Sequence, residues 1–156
     1  MNNDQLNILM IEDNECDIDI ISNIFEKSRY PIALSIARSA EEALDFLYKE
    51  KTNKMPTIIF LDLHLPLMSG FEFLDTINEC DNLRMIPVII MSTSDNQLDI
   101  MNAYQKCISC YLTKPMDIDE FEHMVLDVSY LWLSIAKLPI GKNERPEKNK
   151  NTPSRR

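Results

Sequence analysis

Apolar residues follow two alternating rhythms along this chain, and the alternation predicts its architecture. Five short apolar runs, "LNILMIE" (6–12), "IALSIA" (32–37), "TIIFLD" (57–62), "IPVIIMS" (86–92) and "ISCYLTK" (108–114), have the length and continuity of strands buried on both faces. After each run apolar residues recur at three- and four-residue spacing, as on one face of a helix. These are Ile18, Ile21, Ile24 and Phe25; then Ala43, Leu44 and Leu47; then Phe73, Leu74 and Ile77; then Leu98, Met101 and Tyr104. The last set is Phe121, Met124, Val125, Val128, Leu131 and Trp132, on a helix expected to end near Ala136. Ser39 with Glu42, Ser94 with Gln97 and Asp117 with Glu120 have the spacing of capping boxes at three helix starts.

Five strand–helix repeats predict an α/β fold with one parallel sheet covered by helices on both faces. Right-handed crossovers leave few ways to connect it. The flavodoxin-like, doubly wound (βα)5 arrangement, with strand order 2-1-3-4-5, suits a chain of this size. Folds of that kind place their sites outside the carboxyl ends of the strands, near the point where the order reverses.

The residues at those ends carry chemistry. They are Glu12-Asp13 after the first strand, Asp62 after the third, Ser92-Thr93 after the fourth and Thr113-Lys114-Pro115 after the fifth. The predicted order makes these strands neighbours, so three carboxylates, a hydroxyl and an ammonium should converge. Clustered carboxylates repel and raise one another's pKa values. A hard divalent cation relieves that repulsion, and Mg²⁺ favours a few carboxylates, retained waters and a phosphate oxygen. Lys114 adds a second positive charge and Ser92 a hydroxyl donor. The set has the composition of a phosphoryl-transfer site in which Asp62 is the nucleophile.

The pieces "ILMIEDN", "IIFLDLHLPLMSG", "VIIMSTS" and "YLTKP" resemble the receiver domain of two-component response regulators of the chemotaxis CheY type, over about residues 5–136. The resemblance implies that Asp62 is the phospho-acceptor, that Asp13 binds Mg²⁺ directly and that Glu12 binds it mainly through water. It implies the backbone carbonyl of His64 as a further metal ligand, Ser92 as the switch hydroxyl, Tyr111 as the switch aromatic and Lys114 as the partner of a phosphoryl oxygen. The Lys114–Pro115 peptide is usually cis in that family, which would aim the lysine into the pocket. "STSDNQLDI", "CYLTKPMDIDEF" and "LWLSIAKLP" are similar to the stand-alone regulators that serve cyanobacterial and other bacterial phytochromes. That narrower resemblance implies a sensor histidine kinase of phytochrome type, or a phosphotransfer protein, as donor, and a homodimer formed through the last helices.

Composition sharpens this picture. The chain has 156 residues, about one domain, with 45% hydrophobic residues and a formal net charge of −9. The acidic balance disfavours a nucleic-acid-binding role. Residues 137–156 run against it, with seven basic and two acidic side chains, a local +5 that leaves −14 for the rest. This basic, proline-containing stretch reads as a disordered tail. About twenty residues after Ala136 are too few for an effector domain, so output is expected through protein contact, dimerisation or onward phosphotransfer. No secretory leader and no membrane-spanning run is visible, and a cytoplasmic protein is expected.

Other residues have plainer readings. The four cysteines are expected to be reduced thiols; Cys107 and Cys110 form C-x-x-C without a second pair or a histidine at ligand spacing, so core packing is expected for that pair. His64 is expected at the pocket mouth, tuning water access, and His123 on a surface. An aspartyl phosphatase would carry a second acid where His64 stands. A receiver-fold interaction module independent of phosphorylation is the alternative, against which Glu12, Asp13, Asp62, Ser92 and Lys114 all argue.

Overall fold

The computed structural model describes residues 5–49 and 55–139. Five strands form one parallel sheet: β1 (Leu6–Ile11), β2 (Ile32–Ala37), β3 (Ile58–Leu61), β4 (Val88–Ser92) and β5 (Cys110–Thr113), in the order β2-β1-β3-β4-β5. The helices between and after them are α1 (Glu15–Glu26), α2 (Ala40–Lys49), α3 (Gly70–Asn78), α4 (Gln97–Gln105) and α5 (Ile118–Tyr130). A π-helical turn, Leu131–Ile135, continues α5, and its Ala136 N–H donates to the Leu131 carbonyl at 2.8 Å. The expected fold class and strand order are those observed.

Side chains that alternate along the strands divide the core into two layers. Leu9, Ile11, Ile59, Leu61 and Ile90 pack beneath α2 and α3, through Ala43, Leu47, Phe73, Leu74 and Ile77. Ile8, Met10, Ile58, Phe60 and Ile89 pack beneath α1 and α5, through Ile18, Ile21, Phe25, Phe121 and Val125. Phe25 and Phe60 meet with ring centroids 5.9 Å apart. Both faces of the central strands are thereby dry, which is why their sequences are apolar without alternation.

Several local expectations change. Asn96, not Ser94, caps α4: its side chain accepts the Leu98 N–H at 2.8 Å. Ser94 instead donates its hydroxyl to Asp99 at 2.6 Å. Leu98, Met101 and Tyr104 are 67%, 56% and 50% exposed, so their stripe faces outward and the helix buries Ala103. Leu131, expected on the inner face of the last helix, is exposed at the start of the π-helical turn. Ser39 caps α2, but the Glu42 carboxylate reaches the backbone N–H of Arg38 at 2.8 Å, one residue before the expected partner. At α5, Asp117 accepts the Glu120 N–H at 3.0 Å. A complete capping box occurs at α3, between Ser69 and Glu72, where the S-x-x-E spacing would have announced it. Cys107 is exposed rather than buried. The tail from residue 140 onward lies outside the described residues.

Gly70 fixes the approach of α3 to the sheet. A Cβ there would lie 2.8 Å from the Asp62 carbonyl oxygen and 2.8 Å from the Leu63 Cα. Both are backbone atoms, so no side chain can swing aside. Gly70→Ala is expected to destabilise the protein by roughly 2 kcal/mol or more, read as a lower urea midpoint. Cys107 ends α4 with φ 62°, the left-handed conformation that glycine adopts without penalty. Cys107→Gly is expected to raise the midpoint by a few tenths to about 1 kcal/mol, the relief of strain exceeding the extra chain entropy of glycine. A lowered midpoint would show that the cysteine side chain contributes packing there.

Candidate functional site

The parallel register levels the strand ends. Ile11 pairs with Leu61, Leu61 with Ile90, and Ser92 with Thr113. Two bonds extend this pattern past the strands: Asp62 N–H donates to the Ile11 carbonyl at 3.0 Å, and Lys114 N–H to the Ser92 carbonyl at 2.7 Å. Glu12, Asp62, Ser92 and Lys114 therefore stand together at one edge, all buried, with Asp13 exposed beside them. Carboxylate oxygens of Glu12, Asp13 and Asp62 lie within 4.8 Å of one another.

The cation among them is Lys114, whose side chain is only 6% exposed. Its Nζ donates to Glu12 Oε2 at 2.5 Å and to Asp17 Oδ2 at 2.8 Å, and lies 3.7 Å from Asp62 Oδ2. Burial alone would lower the ammonium's pKa; Glu12, Asp62 and Asp17 outweigh it and raise it. Burial, followed by the nearby Asp62 charge, pushes the Glu12 carboxyl up to about 7, against the opposing pull of Lys114 and the Asn14 N–H. Excess negative charge and hard oxygen donors fit a divalent cation held by Glu12, Asp13 and Asp62.

No cis peptide bond occurs among the described residues, so Lys114–Pro115 is trans and the expected cis bond is not found. The lysine reaches the pocket nonetheless, because its backbone is held in register by the bond to Ser92. His64 carries its ring in solvent while its N–H donates to Asp62 Oδ1 at 3.2 Å. His123 is exposed on α5, as expected.

The β4–α4 connection ties this edge to the surface. The Ser92 hydroxyl oxygen accepts the Ser94 N–H at 3.2 Å, which leaves its own proton available to an oxygen in the pocket. The Ser94 carbonyl accepts the Tyr111 hydroxyl at 2.8 Å. Ser92, Ser94 and Tyr111 thus form one chain of contacts.

Asp17 is not among the residues to which the strand ends point. It is the third residue of α1, a helix marked in the sequence by its apolar positions. Its available signal was spacing: three residues after the capping Asn14, an acid in the first turn lies close to whatever the helix N-terminus faces.

The chain matches the response regulator receiver domain family over residues 8–126. It is 32% identical over 135 residues to the response regulator Rcp1 of Synechocystis sp., covering 85% of this chain and 92% of that protein. It is 31% identical to a probable methanogenesis regulatory protein, FilR2, of Methanothrix harundinacea, covering 85% and 86%. Among solved structures, the phosphorylated cyanobacterial phytochrome response regulator RcpA superposes with a TM-score of 0.82 at 34% identity, covering 86% of this chain and 99% of that one. The Mn²⁺-bound form of Rcp1 superposes with a TM-score of 0.80 at 31% identity, covering 86% and 99%. With its fold, its acidic edge and these relatives in agreement, the chain belongs to the receiver domains of two-component response regulators.

Proposed function

We propose that this protein is a phosphorylation switch in which Asp62 accepts a phosphoryl group from a phosphohistidine in the presence of Mg²⁺. The observation that carries the reading is the cluster of Glu12, Asp13 and Asp62 oxygens within 4.8 Å, set beside the buried Lys114 ammonium. Glu12, Asp13, Asp62 and the backbone carbonyl of His64 would hold the ion. Bound there, it would offset charge on the phosphoryl oxygens.

An Asp62 carboxylate oxygen attacks phosphorus; the new O–P bond forms as the N–P bond of the donor breaks, and imidazole leaves. Lys114 pairs with one phosphoryl oxygen and the Ser92 hydroxyl donates to another. Ser92 is bonded to Ser94, and Ser94 to Tyr111, so a shift of the hydroxyl alters the contact that seats the Tyr111 ring. These new bonds exist only in the phosphorylated state, which gives the differential free energy that a switch requires. Water later hydrolyses the acyl phosphate and resets the protein.

The donor is a sensor histidine kinase or a phosphotransfer protein. RcpA's description as a phytochrome response regulator supports a kinase of phytochrome type. The signal leaves by protein contact, including a homodimer through α5 and the π-helical turn, where Leu126, Tyr130, Leu131 and Ile135 are exposed. No described helix is long and apolar enough to cross a membrane, and the cytoplasm suits a kinase substrate of this kind.

Incubation with acetyl phosphate and Mg²⁺ is expected to add one phosphoryl mass to the wild type and none to Asp62→Asn, read by intact-protein mass spectrometry. A folded wild type that gains no mass under any donor would favour a phosphorylation-independent interaction module. A proton and the metal compete for Glu12, whose folded pKa of about 7 lies above its ordinary 4.5. Mg²⁺ affinity measured by calorimetry is therefore expected to fall by roughly tenfold from about pH 8 to pH 6. Glu12→Gln should bind more weakly and lose most of that dependence.

A further inference from the structure

Lys114 has more claimants than the phosphoryl chemistry requires. Its hydrogen-bonding partners are Glu12 at the end of β1 and Asp17 in the first turn of α1, while Asp62 is 3.7 Å away. That last distance is beyond hydrogen-bonding range. Asp17 is the third helical residue, a position from which an acid commonly reaches back to the capping residue's N–H. Here that N–H, of Asn14, is already taken by Glu12 Oε1 at 3.1 Å. The Asp17 backbone N–H is in turn satisfied by the Asn14 side chain at 3.1 Å. With its local duty filled by Glu12, the Asp17 carboxylate is free to turn toward the pocket, where it is 21% exposed and bonded to Lys114.

We propose that Asp17 is a positioning residue that retains Lys114 on α1 and competes with a phosphoryl group on Asp62 for it. The inference rests on Asp62 being the phospho-acceptor. An ammonium has three N–H donors. Two are given to Glu12 and Asp17, and pairing with a phosphoryl oxygen beyond Asp62 draws the nitrogen away from α1. The bond to Asp17 is charge-assisted and partly buried, so giving it up costs free energy that the phosphorylated state must recover. The same exchange frees the first turn of α1 from its tie to β5, 97 residues further along the chain. Asp17 thus sets how readily the lysine is surrendered and links that event to the helix beside the site.

The test is calorimetric titration with beryllofluoride, a phosphoryl mimic, in saturating Mg²⁺. Asp17→Asn is expected to bind about tenfold more tightly than the wild type, the size of one charge-assisted hydrogen bond removed from the competing state. Asp17→Glu, which keeps the carboxylate, should return affinity to near the wild-type value. Glu15→Gln is the control for charge alone: Glu15 lies in the same helical turn but pairs with Arg38 at 2.8 Å, and its loss should change affinity less than twofold. The Lys114 side-chain ¹⁵N resonance, recorded without the mimic, should move in Asp17→Asn and not in Glu15→Gln. Unchanged or weaker affinity in Asp17→Asn, or an equal gain in Glu15→Gln, overturns this inference while leaving Asp62 as the acceptor. A wild type that binds no beryllofluoride although the lysine resonance responds to Asp17→Asn overturns the acceptor reading, and the competition with it.

Discussion

One buried ammonium among carboxylates is the constraint on which this edge of the molecule depends. Lys114 leaves the end of β5, passes the ends of β4 and β3, and is bonded to β1 and α1. An ion pair removed from water gains little net stability, because desolvation offsets most of the attraction. Its effect here is geometric. The lysine can satisfy Glu12 and Asp17 together only if the strand ends stay level, so it depends on the register of the four strands from β1 to β5 that it spans. Breaking one partner leaves charge buried and uncompensated, which makes the arrangement sensitive to any new anion at Asp62.

The two-layer core supplies the rigidity that such a site needs. Ile11, Leu61 and Ile90 lie directly behind the acids and are fully buried, so the strand ends have little freedom to drift. On the β3–α3 side, Gly70 brings helix backbone against the Asp62 carbonyl, which fixes the loop that follows Asp62. The Glu41 carboxylate accepts the Met68 N–H of the same loop at 3.1 Å. The acid is thus held from behind by packing and from the side by backbone contacts.

The opposite side is held more loosely. α4 buries Ala103 and turns Leu98, Met101 and Tyr104 outward. Few apolar contacts hold such a helix, and elements of low local stability are the ones that shift when a ligand changes the balance. The Tyr111 hydroxyl reaches into this region through the Ser94 carbonyl, and the Tyr111 N–H donates to the Tyr104 hydroxyl at 3.3 Å. A rigid acidic edge beside a lightly packed helix is a physical basis for converting a small change at the pocket into a larger one at the surface.

Much of this was legible in the sequence. Continuous apolar runs fixed the strands, because a strand covered on both faces has no place for polar side chains. The topology followed from alternation and handedness, and the strand ends then named Glu12, Asp13, Asp62, Ser92 and Lys114. What failed was whatever depends on which of two possible partners a group finds. The periodicity of Leu98, Met101 and Tyr104 marks a helix face, yet it cannot say whether that face meets the sheet or solvent. Ser94 has the spacing of a cap, but Asp99 and Asn96 offer it and the helix better bonds. Asp17 is one acid among several in the first turn, and only the crossing of β5 to β1 brings Lys114 to it from 97 residues away. Local pattern determined the elements and their order. Long-range geometry decided the pairing of charges, because an ammonium binds the nearest oxygens in space, whatever their distance along the chain.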